Sequence, residues 1–334
     1  MATYKTALVT GGAGFIGAHL VALLIKEGVR VKVLDPNIKT KNLPKGVIGI
    51  KGSILNAKTL KKTIEGQDCV FHLAALTHLW AKNKKDFHRI NVEGTRAVLA
   101  AAKAAKTKKL VVTSTETILR GWREDNPFPI SEHDPKPSLD DMAGPYTRSK
   151  LEADRLVQKA AKEGLPVVSV YPTVPIGPGD HSLTAPTRMV LDFVRGKTPA
   201  YLNALLNYVT VEDVAFGHYL AAERGLPGER FILGGENLAM SHFLTYLGDA
   251  SGRKMPTRRV PYGLAYATAV VAEFIADFIT RTPPVASKEG VRLACNPSFV
   301  STDHVEKRLG YIPSSVKTAL KEMVRWFEAE GVLK

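Results

Sequence analysis

Tyr146 and Lys150 stand four residues apart in Tyr146-Thr147-Arg148-Ser149-Lys150. On a helix, positions i and i+4 share a face one turn apart. That spacing sets a phenol beside an ammonium. A free tyrosine titrates at about 10. A cation at about 5 Å, in an effective dielectric of about 20, favours the phenolate by roughly 3 kcal/mol. This is about two pKa units, enough for the phenol to work as an acid or base near neutrality. None of the other nine tyrosines has a lysine four residues later. A third hydroxyl is expected in Val112-Thr113-Ser114-Thr115-Glu116-Thr117, where Thr115 follows a short apolar strand. It would polarise a substrate oxygen together with Tyr146. Taken alone, that segment reads as an ordinary polar strand end; beside the Tyr-Lys pair it reads as chemistry.

Such groups need a scaffold that brings a reactant to them. Thr10-Gly11-Gly12-Ala13-Gly14-Phe15-Ile16-Gly17 follows the apolar run Thr6-Ala7-Leu8-Val9 and precedes the apolar stretch Ala18 to Ile25. The glycines therefore fall at a strand-to-helix turn. Gly11 would allow the tight turn, Gly14 would admit a pyrophosphate to the backbone, and Gly17 would let helix and strand pack closely. The phosphate would rest on free N–H groups at the positive helix end. Asp35 ends the next apolar strand, 18 residues after Gly17. There a carboxylate accepts hydrogen bonds from an adenosine ribose. The competing reading is a glycine-rich turn without a ligand.

The first half of the chain alternates strand and helix. Strands are expected at 29–34, 47–51, 69–73, 110–113 and 166–171, with helices at 56–65, 87–105 and 145–162. Repeated β-α-β order predicts a doubly wound parallel sheet. After Tyr171 the rhythm breaks in a proline- and glycine-rich loop. Strands near Ala200 and Val209, a helix at 212–223, a strand at 230–233, and helices near 188–195, 241–251, 262–280, 284–294 and 314–329 follow. They predict a smaller C-terminal α+β substrate lobe, interleaved with the sheet. The expected division is residues 1–171 for the dinucleotide and 172–334 for the substrate.

A chain of 334 residues with 45% hydrophobic and 23% charged content is ordinary for a globular protein. Its two cysteines, Cys69 and Cys295, have no metal-like spacing and imply a reducing compartment. No metal is expected. The first strand begins almost at once, so no signal peptide is expected; with no stretch of about 18 uncharged apolar residues, no membrane span is expected, and the location reads as cytoplasmic. The net charge of +14 would suit nucleic acid, an anionic membrane surface or an acidic substrate. Lysine is spread through the chain, and Lys82-Asn83-Lys84-Lys85 and Lys106-Thr107-Lys108-Lys109 read as solvated faces. No nucleic-acid module accompanies them, so no nucleic-acid partner is expected. Tyr262 to Ile279 is strongly apolar with only two acids. It reads first as a core helix of the lobe, and otherwise as a substrate-tunnel wall or a membrane-facing helix.

Several motifs together resemble the extended short-chain dehydrogenase/reductases. They are the glycine turn, Phe71-His72-Leu73-Ala74-Ala75, Asn91-Val92-Glu93-Gly94-Thr95, Tyr146-x-x-x-Lys150, Pro172-Thr173-Val174-Pro175-Ile176-Gly177-Pro178-Gly179-Asp180 and Val211-Glu212-Asp213-Val214-Ala215. Tyr208 to Asp213 and Ile232 to Leu238 draw the likeness toward the dihydroflavonol-reductase-like and hopanoid-associated sugar epimerase group. The resemblance covers nearly the whole chain. It implies hydride transfer at a nicotinamide, with Thr115, Tyr146 and Lys150 catalytic. It implies cofactor contacts at Gly11, Gly14, Phe15, Ile16, Gly17, Asp35, Ser53, Ile54, Leu73, Ala74, Ala75, Thr113, Tyr171, Pro172, Thr173 and Val174, besides Tyr146 and Lys150. Substrate contacts are expected at Thr77, Glu116, Arg188 and Tyr201. Three positions depart from the pattern: Thr115 for the commoner Ser, Gly52-Ser53 for Gly-Asp, and Asp35-Pro36-Asn37 without an adjacent Arg for a 2′-phosphate. The last favours NAD(H), with Lys39 and Lys41 leaving NADP(H) open.

The substrate expected is a ketone or secondary alcohol of a lipid-like molecule, drawn from an anionic membrane, with a homodimer as one assembly. The alternative is a nucleotide-sugar epimerase or dehydratase. Dehydration needs two adjacent carboxyl groups, and Glu116 is followed by Thr117. A third reading, a non-catalytic RNA binder, has no use for the Thr-Tyr-Lys set.

Overall fold

Short uninterrupted apolar runs make strands buried on both faces, and the structure builds them into one parallel sheet. It is a computed structural model and describes residues 2–39, 43–122 and 129–333. In chain order come β1 (Thr6–Thr10), α1 (Phe15–Lys26), β2 (Arg30–Asp35), β3 (Ile48–Lys51), α2 (Ala57–Ile64) and β4 (Cys69–His72). Next are α3 (Lys85–Phe87), a wider π turn at His88–Glu93, α4 (Gly94–Ala104), β5 (Lys109–Thr113), α5 (Pro145–Lys162) and β6 (Val167–Pro172). The second half holds β7 (Val174–Ile176), α6 (Ala185–Val194), β8 (Ala200–Leu202), β9 (Leu205–Thr210), α7 (Val211–Arg224), β10 (Arg230–Leu233), β11 (Glu236–Ala239) and α8 (Met240–Ser251). It ends with β12 (Arg258–Val260), α9 (Tyr262–Ile275), α10 (Lys288–Cys295), α11 (Asp303–Leu309) and α12 (Val316–Ala329).

The main sheet runs β3-β2-β1-β4-β5-β6-β10, and every pairing is parallel. Helices α1 and α7 cover one face, where Leu20, Leu24, Val214 and Leu220 pack on Val9, Phe71 and Phe231. Helices α2, α4 and α5 cover the other through Leu60, Val98 and Val157. The chain leaves β1 toward one edge and β4 toward the other. A crevice opens at the carboxyl ends of the strands where the order reverses.

The doubly wound parallel sheet matches the expectation; β10, read as part of the interleaved lobe, instead returns to become its seventh strand. Strands β7, β11 and β12 and helix α11 were not foreseen. They have three to seven residues, too few to carry a hydrophobic period. Strands β7, β9 and β11 form a small sheet, backed by α6, α8 and α12 around Tyr208, Phe243, Met323 and Phe327. Tyr208 stacks on Phe243 with ring centroids 4.2 Å apart.

The apolar stretch at 262–280 corrects the core-helix expectation. It forms α9, extended by a π turn at Ala276–Thr280, and buries only Ala269, Glu273 and Ala276. It also qualifies the expectation of no span: by length and composition alone it is long and apolar enough to cross a membrane. Its two acids face inward to partners, so the apolar residues are left outside.

Two glycines set the entry to the crevice. Gly11 has φ of +74°, and a Cβ there would meet the Ala74 backbone nitrogen at 2.7 Å. A Cβ on Gly17 would lie 2.3 Å from the Gly11 carbonyl oxygen. Both obstacles are backbone, which cannot swing away. Gly17→Ala should therefore destabilise the fold by about 1–3 kcal/mol, the usual cost of overpacking. Chemical denaturation would measure it, and an unchanged midpoint would contradict the packing argument.

Candidate active site

A cleft of about 1440 Å³ follows the carboxyl ends of β1, β2, β4, β5 and β6. All but three of the expected site residues line it. Tyr171 lies beneath the sheet surface; its hydroxyl donates to Asp154 Oδ1 (2.6 Å) and accepts from Lys136 Nζ (3.2 Å). Tyr201 is buried in the second core, its hydroxyl accepting from Arg259 Nε (3.3 Å). On α6, Arg188 is exposed to solvent while its neighbour Met189 faces the cleft. The structure thus keeps these three out of the cleft. Successive strand side chains point to opposite faces, and adjacent helix positions diverge by about 100°.

The glycine turn fits a dinucleotide. No acidic residue occupies the first turn of α1 and no side chain caps it, so its positive end is left to an anion. Asp35 is held at the end of β2 by N–H donors from Ala13 (3.2 Å) and Asn37 (2.8 Å). Ser53 Oγ accepts from the Leu55 N–H (3.2 Å). Lys39 also lines the cleft; Lys41 lies outside the described residues.

Two buried histidines fix the floor. His72 Nδ1 meets Thr10 Oγ1 at 2.9 Å and its Nε2 meets Thr95 Oγ1 at 3.1 Å. Thr95 donates its own hydrogen to the Asn91 carbonyl (2.6 Å), which assigns the ring proton to Nε2. Burial, and then the charge of Lys150, push His72 down to about 3. His218 Nε2 meets Thr113 Oγ1 at 2.8 Å and its Nδ1 the Val214 carbonyl at 2.7 Å, with burial holding it down at about 4. Both rings are neutral at ordinary pH. Asn91 bonds both backbone groups of Leu76 and reaches Ser149 Oγ on α5 at 2.9 Å.

Tyr146 is buried. Burial raises its pKa above the ordinary value; a hydrogen bond with Thr115 lowers it, and the charges of Glu116 and Glu289 raise it. The expectation of a phenol acidified by Lys150 therefore fails in this structure. The lysine instead donates to the Thr113 carbonyl (2.8 Å). Burial pushes Lys150 down to about 8, against the nearby charge of Asp154. At neutral pH Tyr146 is a phenol, ready to give a proton.

Thr115 Oγ1 donates to Glu116 Oε2 at 3.1 Å, and Ser298 Oγ lies 3.5 Å from Glu116 Oε1. Burial pushes the Glu116 carboxyl up to about 7, against its hydrogen bonds. Glu289 was not foreseen. Its carboxylate accepts the N–H groups of Tyr146 (3.1 Å) and Thr147 (2.8 Å) and the Thr147 hydroxyl (2.8 Å). An acid at a helix N-terminus is a favourable cap. Here it comes from α10, so no local spacing announces it.

The model of the NAD-dependent epimerase/dehydratase family matches residues 7–234. A Synechocystis sp. protein named as a candidate dihydroflavonol 4-reductase is 34% identical over 98% of this chain and 95% of its own length. A Stigmatella aurantiaca protein, named 4-hydroxy-2-methyl-3-oxo-4-farnesyl-3,4-dihydroquinoline-1-oxide ketoreductase, is 32% identical over 91% of this chain and 90% of its own. The crystal structure of gox2253 superposes with a TM-score of 0.86 at 32% identity, covering 99% of this chain and 100% of that one. The fold is shared with a Thermus thermophilus UDP-glucose 4-epimerase held with NAD, with a TM-score of 0.77 at 22% identity over 97% and 99% of the two chains.

Glu116 should govern the pH profile. Its carboxyl is neutral below about 7 and charged above, and its charge opposes loss of the Tyr146 proton. Proton delivery to a substrate oxygen should then decline as pH rises through about 7. Glu116→Gln should flatten that limb of kcat/KM between pH 5.5 and 8.5 (roughly the working range of such assays). A limb that persists in the Gln variant has another origin.

Proposed function

Because the chain belongs to the NAD-dependent epimerase/dehydratase family and is an oxidoreductase, we propose that it moves a hydride between nicotinamide and a ketone or secondary alcohol of a lipid-like substrate. One observation carries this reading. Met189, Leu206, Leu293, Ala294 and Pro297 give the cleft an apolar wall, while Arg188, an expected substrate contact, is in solvent. Burying an alkyl chain there contributes about 0.8 kcal/mol per methylene, so six supply roughly 5 kcal/mol. The farnesyl group in the name of the Stigmatella relative points the same way.

NAD would supply the hydride acceptor or donor. The turn at Gly11 to Gly17 would take its pyrophosphate, Asp35 its adenosine ribose and Lys150 its nicotinamide ribose. Tyr146 gives its proton to the substrate oxygen as the alcohol forms, and Thr115 orients that oxygen. The protonated phenol suits the reductive direction. The second reading, a nucleotide-sugar epimerase, has a foothold in Arg120, a buried arginine on the cleft wall.

Purified protein with NADH should reduce a long-chain keto lipid and leave UDP- and dTDP-sugars untouched. Tyr146→Phe should lose about 10² to 10⁴ in turnover and still bind NADH. Competitive inhibition by a nucleotide diphosphate sugar, with no response to any amphiphile, would promote the epimerase reading instead.

Cofactor choice is a separate expectation. A carboxylate at Asp35 accepts from a ribose hydroxyl and repels a 2′-phosphate. Dissociation constants should favour NADH over NADPH. Tighter NADPH binding would transfer the role to a lysine beyond β2, with Lys39 the first to mutate.

A further inference from the structure

The helix spanning Tyr262–Thr280 is built inside out. Leu264, Ala267, Val271, Phe274 and Phe278 recur at intervals of three and four, which places them along one stripe. That stripe faces solvent: Phe278 is 68% exposed, Leu264 62% and Phe274 59%, with Ile279 beside it at 68%. The inward side carries the polar groups. Tyr266 accepts from Arg292 Nη2 (2.9 Å). Glu273 accepts from the Lys288 N–H (3.1 Å) and pairs with its ammonium (3.5 Å). Asp277 accepts from Trp80 Nε1 (2.6 Å) and pairs with Lys84 (3.2 Å). A helix on a water-facing surface normally has the opposite arrangement. These anchors pin it flat against α10 and the segment around Trp80, so it lies on the surface and cannot thread through a bilayer without breaking them.

The rim of this face is basic. Arg258 and Arg259 stand exposed before α9, Arg281 after it, and Lys82 and Lys85 flank Lys84 at its far end. Between Arg253 and Glu289 the only acids in the sequence are Glu273 and Asp277, both turned inward. A second copy of the chain would bring a like-charged rim against this one. Anionic headgroups complement it, and the apolar stripe matches the acyl boundary below them.

We propose that this face docks the protein on an anionic lipid bilayer, with α9 lying in the interface. The proposal is independent of the substrate reading, because it rests on the outer surface and not on the cleft. The two would nevertheless work together. Helix α10 touches α9 on one side and lends Gly290, Leu293 and Ala294 to the cleft on the other, so the bilayer and the substrate wall are one helix apart.

The test is flotation of the full chain with vesicles, read by protein partition and not by turnover. Vesicles of phosphatidylcholine containing roughly one-third phosphatidylglycerol should carry the protein, and pure phosphatidylcholine far less. The double variant Phe274→Ser/Phe278→Ser alters only exposed side chains and should keep its thermal melting point. Its partition should fall by about tenfold or more. Arg258→Glu/Arg281→Glu should abolish the preference for the anionic vesicles. Absence of flotation with anionic vesicles would overturn the proposal, as would flotation undiminished by the Phe variants. A stable dimer that binds no vesicle and is split by Phe274→Ser/Phe278→Ser would show instead that the face joins two copies.

Discussion

A single chain of buried hydrogen bonds crosses the molecule at the point where the sheet reverses. It runs from Thr10 through His72 and Thr95 to Asn91, and from Asn91 through Ser149 to the Tyr146 carbonyl, 2.7 Å from the serine hydroxyl. It ties β1, which precedes the glycine turn, to β4, α4 and α5, which carries Tyr146 and Lys150. Every member has a partner, so burial costs little and the geometry is defined. The π turn at His88–Glu93 contains Asn91. It is the kind of local widening that aims a side chain a regular helix would misplace. The cleft can be large because its two halves are already held together beneath it.

Much of this was legible in the chain. The glycine turn and the Tyr146-Lys150 pair are local patterns, and local spacing fixes what they can do. Strands such as Cys69–His72 show as unbroken apolar runs. Glu289 and Ser298 were illegible for the opposite reason. Each meets its partner across more than 140 residues of chain, and neither sits in a motif. Lys150 was half legible: its spacing from Tyr146 is right, yet its ammonium serves a carbonyl in this structure. In sequence, 262–280 showed as a strongly apolar helix with two acids. Which face looks inward depends on Trp80, Lys84, Lys288 and Arg292, partners that only tertiary packing supplies. The lysine run at 82–85, bland in sequence, gains meaning from lying beside Asp277.

The ionisable groups of the site are held by the elements around it. Glu116 and Lys150 change charge near neutrality. Asp154, one turn past Lys150, is salt-bridged to Lys136 at 2.8 Å and bonded to Tyr171 below the floor. Glu289 takes the N-terminus of α5 through the N–H groups of Tyr146 and Thr147. Burial raises its pKa while bonds from Thr147 and Tyr146 oppose that rise. Carboxyl groups thus flank Tyr146 and Lys150 along α5, Glu289 at its N-terminus and Asp154 one turn further on.

The two neutral histidines also give the fold an acid limit. An unfolded histidine takes up a proton at about 6.5, whereas His72 resists to about 3 and His218 to about 4. Below the unfolded value, the unfolded chain binds protons that the native state refuses, so acid draws the equilibrium toward unfolding. The penalty grows until the folded pKa values are reached. A protein already carrying +14 gains further positive charge as it opens. The same rings that make the floor rigid thus make acidification a route to losing it, and the ties between β1 and β4 and between β5 and α7 would be first to bear the load.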